Sequence, residues 1–267
     1  MQPRDTYTHG HAESVLRSHS NRTVENSAAY LAPYLARGRD VLDVGCGPGT
    51  ITRDFVRFVT PGRVVGVDEA GSVVEKAASS GPSDGVEFAV GDAYALAFPD
   101  ASFDVVHAHQ VLQHLSDPVA ALREWKRLCR PGGVVAARDA DYAAFTWFPD
   151  DPKLDRWLAL YRSAAYANRA QPDAGRRLLA WAHAAGFTDV VATASVWCYA
   201  TPHDREFWGG MWAERIVGSA LTTQLLEAGV DQRELDEISA AWRQWAAHPD
   251  AWFMVPHGEI VCRAPDR

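Results

Sequence analysis

The sequence predicts an α/β protein built on a buried parallel sheet, and three features point to it. Between about residues 40 and 140, short valine-rich runs alternate with helical stretches. Near-continuous apolar runs separated by helices are what parallel strands covered on both faces require. The first run ends in a glycine turn that opens a helix, Gly45-Cys46-Gly47-Pro48-Gly49-Thr50, and beyond residue 140 the pattern changes to long helices, in a stretch that holds nine of the ten tryptophans.

In chain order, residues 11–37 read as one or two N-terminal helices, with Ala28, Ala29, Leu31, Ala32 and Leu35 near helical spacing, expected over the carboxyl edge of the sheet. Strands are predicted at 41–44, 64–68, 86–90, 103–106 and 134–137. Helices follow at 151–168, 173–185, 203–228 and 231–247. Two strands interrupt them, the β-branched and aromatic 188–199 and the final 251–263, the latter expected to bulge at Pro256 and Gly258. No repeat or flexible linker divides the chain. It is expected to be one domain over 1–267, with a cap at 1–37, a ligand-binding core at 38–140 and helical lid insertions at 141–175 and 200–250.

Composition narrows the function. A hydrophobic content of 47% supplies a core, and no apolar run approaches the roughly 18 residues that span a bilayer. The polar start, Met1 to His11, has no signal-peptide apolar stretch, so membrane and secretory readings fall. The four cysteines (Cys46, Cys129, Cys198, Cys262) form no CxxC pair and suit reduced thiols of the cytoplasm. With 26 basic against 34 acidic residues the net charge is −8, and no basic run exceeds two residues. A nucleic-acid partner is disfavoured, because phosphate binding needs clustered positive charge.

Glycines let backbone approach a ligand without a Cβ in the way. Nineteen residues beyond Gly49 comes Asp68, at the end of the second strand, where a carboxylate can accept hydrogen bonds from both hydroxyls of a ribose. A nucleoside-containing ligand follows. A dinucleotide fingerprint would need a third glycine where Thr50 stands, and Asp43 precedes the first glycine instead, so an NAD-linked oxidoreductase is the second choice.

These residues resemble the class I S-adenosylmethionine-dependent methyltransferases, and among them the small-molecule group of the ubiquinone/menaquinone-biosynthesis type. The resemblance covers roughly 38–140 in five ordered blocks: Asp43 to Gly49, Asp68, Gly91-Asp92-Ala93, Phe103 to Val106, and Leu128-Cys129-Arg130-Pro131-Gly132-Gly133. It implies a Rossmann-like, seven-stranded, mostly parallel sheet with the last strand antiparallel, helices on both faces, and a helical lid inserted after strands 5 and 6. It implies S-adenosyl-L-methionine as cofactor, with Gly45, Cys46, Gly47 and Gly49 facing the methionine part, Asp43 orienting its amino end, Asp68 and Glu69 at the ribose, and Gly91, Asp92 and Ala93 at the adenine. Asp92 also suits a turn or helix cap. A catalytically silent nucleoside-binding protein of the same fold is the non-enzymatic alternative.

Methyl transfer from a sulfonium is an in-line displacement that needs alignment, exclusion of water, and a base only when the nucleophile must lose a proton. His107 and His109 lie around the end of the fourth strand, and His109 is expected to face the cofactor and serve as base, with His114 next. On the N-terminal helix, His19, Arg22 and Asn26 share one face, where Arg22 would clamp the methionine carboxylate. Tyr7 could close over the cofactor. His9 and His11 lack a third ligand, and Asp139 with Asp141 lack a third carboxylate, so no metal is expected.

The Asn/Asp-Pro-Pro-aromatic motif of nucleic-acid and protein amino-methyltransferases is absent after the fourth strand, where Ala108-His109-Gln110-Val111 stands. A substrate wall is expected from Tyr142, Phe145 and Trp147 together with Trp208, Met211 and Trp212, since planar side chains line sites for apolar or aromatic ligands. The expected reaction is C- or O-methylation of a small, moderately apolar metabolite by a monomer or homodimer.

Overall fold

The computed structural model describes Thr8, residues 21–81 and residues 84–265. Five parallel strands, β1 (Val41–Val44), β2 (Val64–Asp68), β3 (Val86–Val90), β4 (Phe103–His109) and β5 (Cys129–Ala140), stand in the order β3-β2-β1-β4-β5. Beyond β5 lies β8 (Trp252–Arg263), antiparallel to it, and β8 in turn pairs antiparallel with β7 (Val190–Tyr199). This is the expected open, mostly parallel sheet. An eighth strand, the short β6 (Thr146–Phe148), pairs with the first residues of β8 on the side that β5 occupies further along. Three residues are too few to show a periodicity.

Both faces of the sheet are covered, as the unbroken apolar runs require. On β5, Val135 and Ala137 join one core with Trp125 and Leu122 of α4 (Pro118–Leu128) and Leu178 and Ala182 of α6 (Leu178–Ala184). Val134 and Ala136 join the opposite core with Ile51, Phe55 and Val59 of α2 (Thr50–Val59). A helix α3 (Gly71–Ser79) completes the β2–β3 crossover.

The N-terminal segment differs from the sequence expectation. A single turn, α1 (Val24–Ser27), is capped by the Thr23 side chain, and residues Ala29–Tyr34 then form a 3-10 helix containing Pro33, which has no N–H to give an α-helix. Val24, Ala28 and Leu31 are buried in the same core as Val41, Val64 and Phe55, so this stretch runs down one sheet face instead of staying at the carboxyl edge. Tyr7, His9, His11 and His19 lie outside the described residues.

Helices occupy both stretches expected to carry insertions. After β6 comes α5 (Pro152–Ala167), started by Asp151 accepting from Lys153 N at 2.8 Å with Pro152 in the first turn. After β7 come α7 (Pro202–Gly218), α8 (Ala220–Glu227) and α9 (Gln232–Ala247). The expected helix 203–228 is two helices, because Ser219 turns extended and caps the second through Leu221 N at 3.2 Å. The lid core centres on Trp157, whose ring meets Trp212 at 4.5 Å and Trp242 at 4.8 Å, both edge-on. Truncating a tryptophan so enclosed costs about 3–5 kcal/mol. Phe253 of β8 enters this core, 5.6 Å from Trp242, and joins lid to sheet.

The bulge expected in β8 is absent. Its pairing with β7 runs residue for residue from Phe253 to Cys262. Gly258 answers a different need, since a Cβ there would lie 2.1 Å from the Gly175 carbonyl oxygen. The Pro256 carbonyl accepts from Asp141 N at 3.0 Å.

Candidate cofactor and acceptor site

The glycine turn sits between β1 and α2 at the carboxyl end of the sheet. Gly45, Gly47 and Gly49 have φ of 68°, 54° and 78°, a region that side-chain-bearing residues seldom enter. A Cβ on Gly45 would also lie 2.4 Å from Val111 Cγ2, and one on Gly91 would lie 2.7 Å from Leu96 Cδ2. Beneath the turn, Asp43 is 3% exposed and its carboxylate is fully engaged, accepting from Thr52 Oγ1 at 2.5 Å and bonded to His107 Nδ1 at 2.8 Å. The structure therefore holds Asp43 beneath the turn through both carboxylate oxygens. Cys46 is buried, and burial pushes its thiol pKa up, so it presents backbone and a neutral side chain.

Asp68 ends β2 half-buried, one oxygen accepting from Gly47 N at 3.1 Å and the other from Ala70 N at 3.1 Å. Glu69 beside it is exposed. After β3, Asp92 is exposed and accepts from Tyr94 N at 2.9 Å, while the Ala93 carbonyl accepts from Trp125 Nε1 at 3.0 Å. Glycine turn, Asp68 and the 91–93 turn thus follow the carboxyl ends of β1, β2 and β3 in sheet order, the crevice where open α/β sheets bind ligands.

At the end of β4 the histidines differ from expectation. His109 is 5% exposed, its ring 5.4 Å from Trp197 and stacked 6.0 Å from His257. Burial, reinforced by Arg22 and Arg138, holds its pKa well below the usual imidazole range. Neither ring nitrogen has a hydrogen-bond partner among the described residues. His114 is pushed down to about 3 by burial and then Arg22, and its Nε2 is bonded to Gln113 Nε2 at 3.0 Å. Both are neutral imidazoles of depressed basicity, poorly matched to general-base work near neutral pH.

Three residues at this edge carried no sequence signal for the role they occupy. Gln110 adopts a φ of 55°. Its amide nitrogen lies 2.9 Å from Nε2 of His257, 147 residues away in sequence. Asp139, weighed from sequence only as a metal ligand, is fully buried. One oxygen accepts from Gln113 N at 3.0 Å and the other has no partner among the described residues, and burial pushes its pKa up to about 7. Asp141 is bound by Arg176 through bonds of 2.6 and 2.8 Å. Among the described residues no group of three or more His, Cys, Asp or Glu could hold a metal ion.

Arg22 donates to Gln110 Oε1 and lies over the Trp197 ring at 5.5 Å. Of the expected substrate wall, Tyr142 stacks on Phe145 at 4.3 Å and on Tyr161 at 4.2 Å, Tyr199 stacks on Trp208 at 4.3 Å, and Trp147 stacks on Phe253 at 5.5 Å. Met211 is 8% exposed and sits between Trp208 and Arg215, whose Nη2 approaches its sulfur at 3.2 Å. Trp212, at 0% exposure between Trp157 and Trp242, is lid core and gives no surface to a ligand.

Comparison with known proteins agrees with this architecture. A methyltransferase-domain family model matches residues 42–137, the span from β1 to the middle of β5. An uncharacterised methyltransferase of Schizosaccharomyces pombe is 34% identical over 96% of this chain and 95% of its own length. The ubiquinone/menaquinone biosynthesis C-methyltransferase of Hahella chejuensis is 41% identical over 36% of this chain and 41% of its own. Among solved structures, a Haemonchus contortus phosphoethanolamine N-methyltransferase with S-adenosylhomocysteine bound superposes with a TM-score of 0.58 at 20% identity, over 91% of this chain and 53% of that one, a likeness of fold. The chain belongs to the class I S-adenosylmethionine-dependent methyltransferases. The left-handed glycine turn at the end of β1, which carries no side chain at Gly45, Gly47 or Gly49, fits that cofactor.

Proposed function

We propose that the enzyme methylates a carbon or oxygen of a small, moderately apolar metabolite. The observation that carries this reading is the aromatic packing beside the carboxyl edge of the sheet, Tyr142 on Phe145 and Tyr199 on Trp208, which makes the surroundings of an acceptor there apolar. The partial likeness to a quinone C-methyltransferase supports it. The cofactor supplies a methyl group already activated on sulfur. Asp68 accepts from the ribose hydroxyls with Glu69 beside it, and Gly91, Asp92 and Ala93 border the adenine. The backbone of Gly45, Cys46, Gly47 and Gly49 leaves room for the methionine part, Asp43 holds that turn from below, and Arg22 reaches its carboxylate.

The core at 38–140 and the lid insertions at 141–175 and 200–250 then divide the work, one holding the cofactor and the other enclosing the acceptor. With His109 and His114 neutral and weakly basic, alignment and exclusion of water carry the rate, and the acceptor arrives as a ready nucleophile. His109 borders the reacting centre. Four free thiols suit the reducing cytoplasm, and the chain is taken to work there as a monomer or homodimer on free metabolites.

Radiolabelled methyl transfer from S-adenosylmethionine to a panel of quinols, phenols, sterols and amines tests the proposal, with nuclear magnetic resonance locating the methyl group. Label on carbon or oxygen of an apolar acceptor is expected. Transfer to amines alone, or to protein or RNA alone, would overturn it.

A further inference from the structure

Gln110 follows β4 and starts the turn into the 3-10 helix Leu112–His114, and its side-chain amide and its backbone N–H are all bonded. The direction of the bonds can be followed outward from His257. Its Nδ1 lies 3.0 Å from the Val255 carbonyl oxygen, which can only accept, so Nδ1 carries the proton and Nε2 is the acceptor. The Gln110 Nε2 group, 2.9 Å away, therefore donates to His257, and this turns Oε1 toward Arg22, which donates to it. A neutral His257 is what this chain needs, and burial keeps it neutral.

The backbone of Gln110 is equally constrained. Its N–H donates to the Arg138 carbonyl at 2.7 Å, and its φ of 55° turns the chain so that Val111 closes against Gly45. The side chain thus holds Arg22 while the next residue rests on the glycine turn. Arg22 opens a segment attached at two further points, where Val24 N donates to Asp54 Oδ2 at 2.7 Å and the Asn26 carbonyl accepts from Trp197 Nε1 at 2.6 Å. Gln110 is the attachment nearest the turn, and a residue other than glycine keeps a left-handed backbone there.

We propose that Gln110 is a positioning residue for methyl transfer: oriented by His257, it latches Arg22, and with it the N-terminal segment, over the glycine turn and slows cofactor release. The inference rests on the reading that this turn holds the methionine part of S-adenosylmethionine. Gln110 touches neither reacting atom. Its effect passes through Arg22 and Val111.

A double-mutant cycle on S-adenosylhomocysteine binding tests it, with affinity from calorimetry and release from stopped-flow tryptophan fluorescence. Gln110→Gly removes the amide and accepts the left-handed backbone without strain, which offsets part of the cost of leaving His257 Nε2 unpaired, and its binding is measured below the melting temperature of the unliganded variant. Gln110→Gly should weaken binding about tenfold, chiefly through faster release, Arg22→Met, which also loses its reach to the methionine carboxylate, by at least as much, and the double variant should match Arg22→Met alone, because one latch cannot be broken twice. His257→Phe, which keeps a ring but offers no acceptor, should weaken binding by a similar factor, and carries the test with Arg22→Met if the glycine variant does not fold. Parental affinity in Gln110→Gly or His257→Phe, or additive losses reaching about a hundredfold in the double variant, would overturn the latch while leaving the cofactor site standing. A parent protein that does not bind S-adenosylhomocysteine would overturn the site assignment and the latch with it.

Discussion

Asp43 and His107 meet across β1 and β4 at 2.8 Å, and neither side chain reaches solvent, at 3% and 0% exposure. Thr52 closes on the other oxygen, so the acid before the glycines ties two strands and the first turn of α2 into one polar knot under the cofactor turn. Asp43→Ala leaves a buried hydroxyl and a buried imidazole without their acceptor, at about 1–3 kcal/mol for each. The urea midpoint should drop, and cofactor affinity with it. A parental midpoint would show that the knot does not support the turn.

Asp68 stands half-exposed at the end of β2 and contributes less to folding. Asp68→Ala should weaken S-adenosylhomocysteine binding by about 2 kcal/mol, roughly thirtyfold in Kd, as two ribose hydroxyls lose a charged acceptor. Its melting temperature without ligand should stay near the parental value. Calorimetry that returns an unchanged Kd removes Asp68 from the ribose.

His109 and His257 are both held below the usual imidazole pKa, mainly by burial. At acid pH the unfolded chain therefore binds protons that the folded chain refuses. The contribution of these two histidines to stability is complete above about pH 6.5 and falls as pH drops below it. Thermal melts from pH 7.5 to 5 should show this loss, and His109→Phe should reduce it. Single-turnover transfer should show no inflection from His109 between pH 6.5 and 9. An inflection there that His109→Gln abolishes would restore His109 as a base.

Asp139 acts in the opposite direction. Its pKa, raised by burial to about 7, means that between pH 4 and 7 the unfolded chain has given up a proton that the folded chain keeps. Its contribution is full near pH 4 and is lost as pH rises to 7, at a slope of up to about 1.4 kcal/mol per pH unit. Asp139→Asn retains an acceptor for Gln113 N and should be stabilised relative to the parent progressively over that interval. A constant difference across it would show that Asp139 is ionised in the folded protein.

The sheet was legible because each strand is a valine-rich run bounded by turns, and the place of Gly45, Asp68 and Asp92 at its carboxyl edge because they end or follow β1, β2 and β3 in the chain. The helices after β6 and β7 could be read from their apolar spacing, but the break at Ser219 could not, since a single serine cap signal does not interrupt an apolar pattern that continues on both sides of it. His109 was located by counting along β4. What counting omits is the desolvation that neutralises it, which comes from Trp197 and His257, far off in sequence. Gln110 and His257 give no local sign at all, because their pairing exists only once β8 has reached the edge of β5. Trp212 resembled Trp208 on the same helix until packing turned one inward.

β8 follows every other element in the chain and is the one on which the others wait. It pairs with β5, β6 and β7, and its Phe253 is built into the tryptophan core of the lid. During synthesis the first five strands can assemble as they emerge, whereas β7 has no neighbour to pair with until residues 252–263 leave the ribosome. Ten uncharged residues, Val190 to Tyr199, wait in that interval with both edges open, which makes them the segment most in need of a chaperone. A chain stopped at Asp250 should bind holdase chaperones through this stretch and melt without a cooperative transition. Cooperative melting of that truncated chain would mean that the lid closes without its last strand.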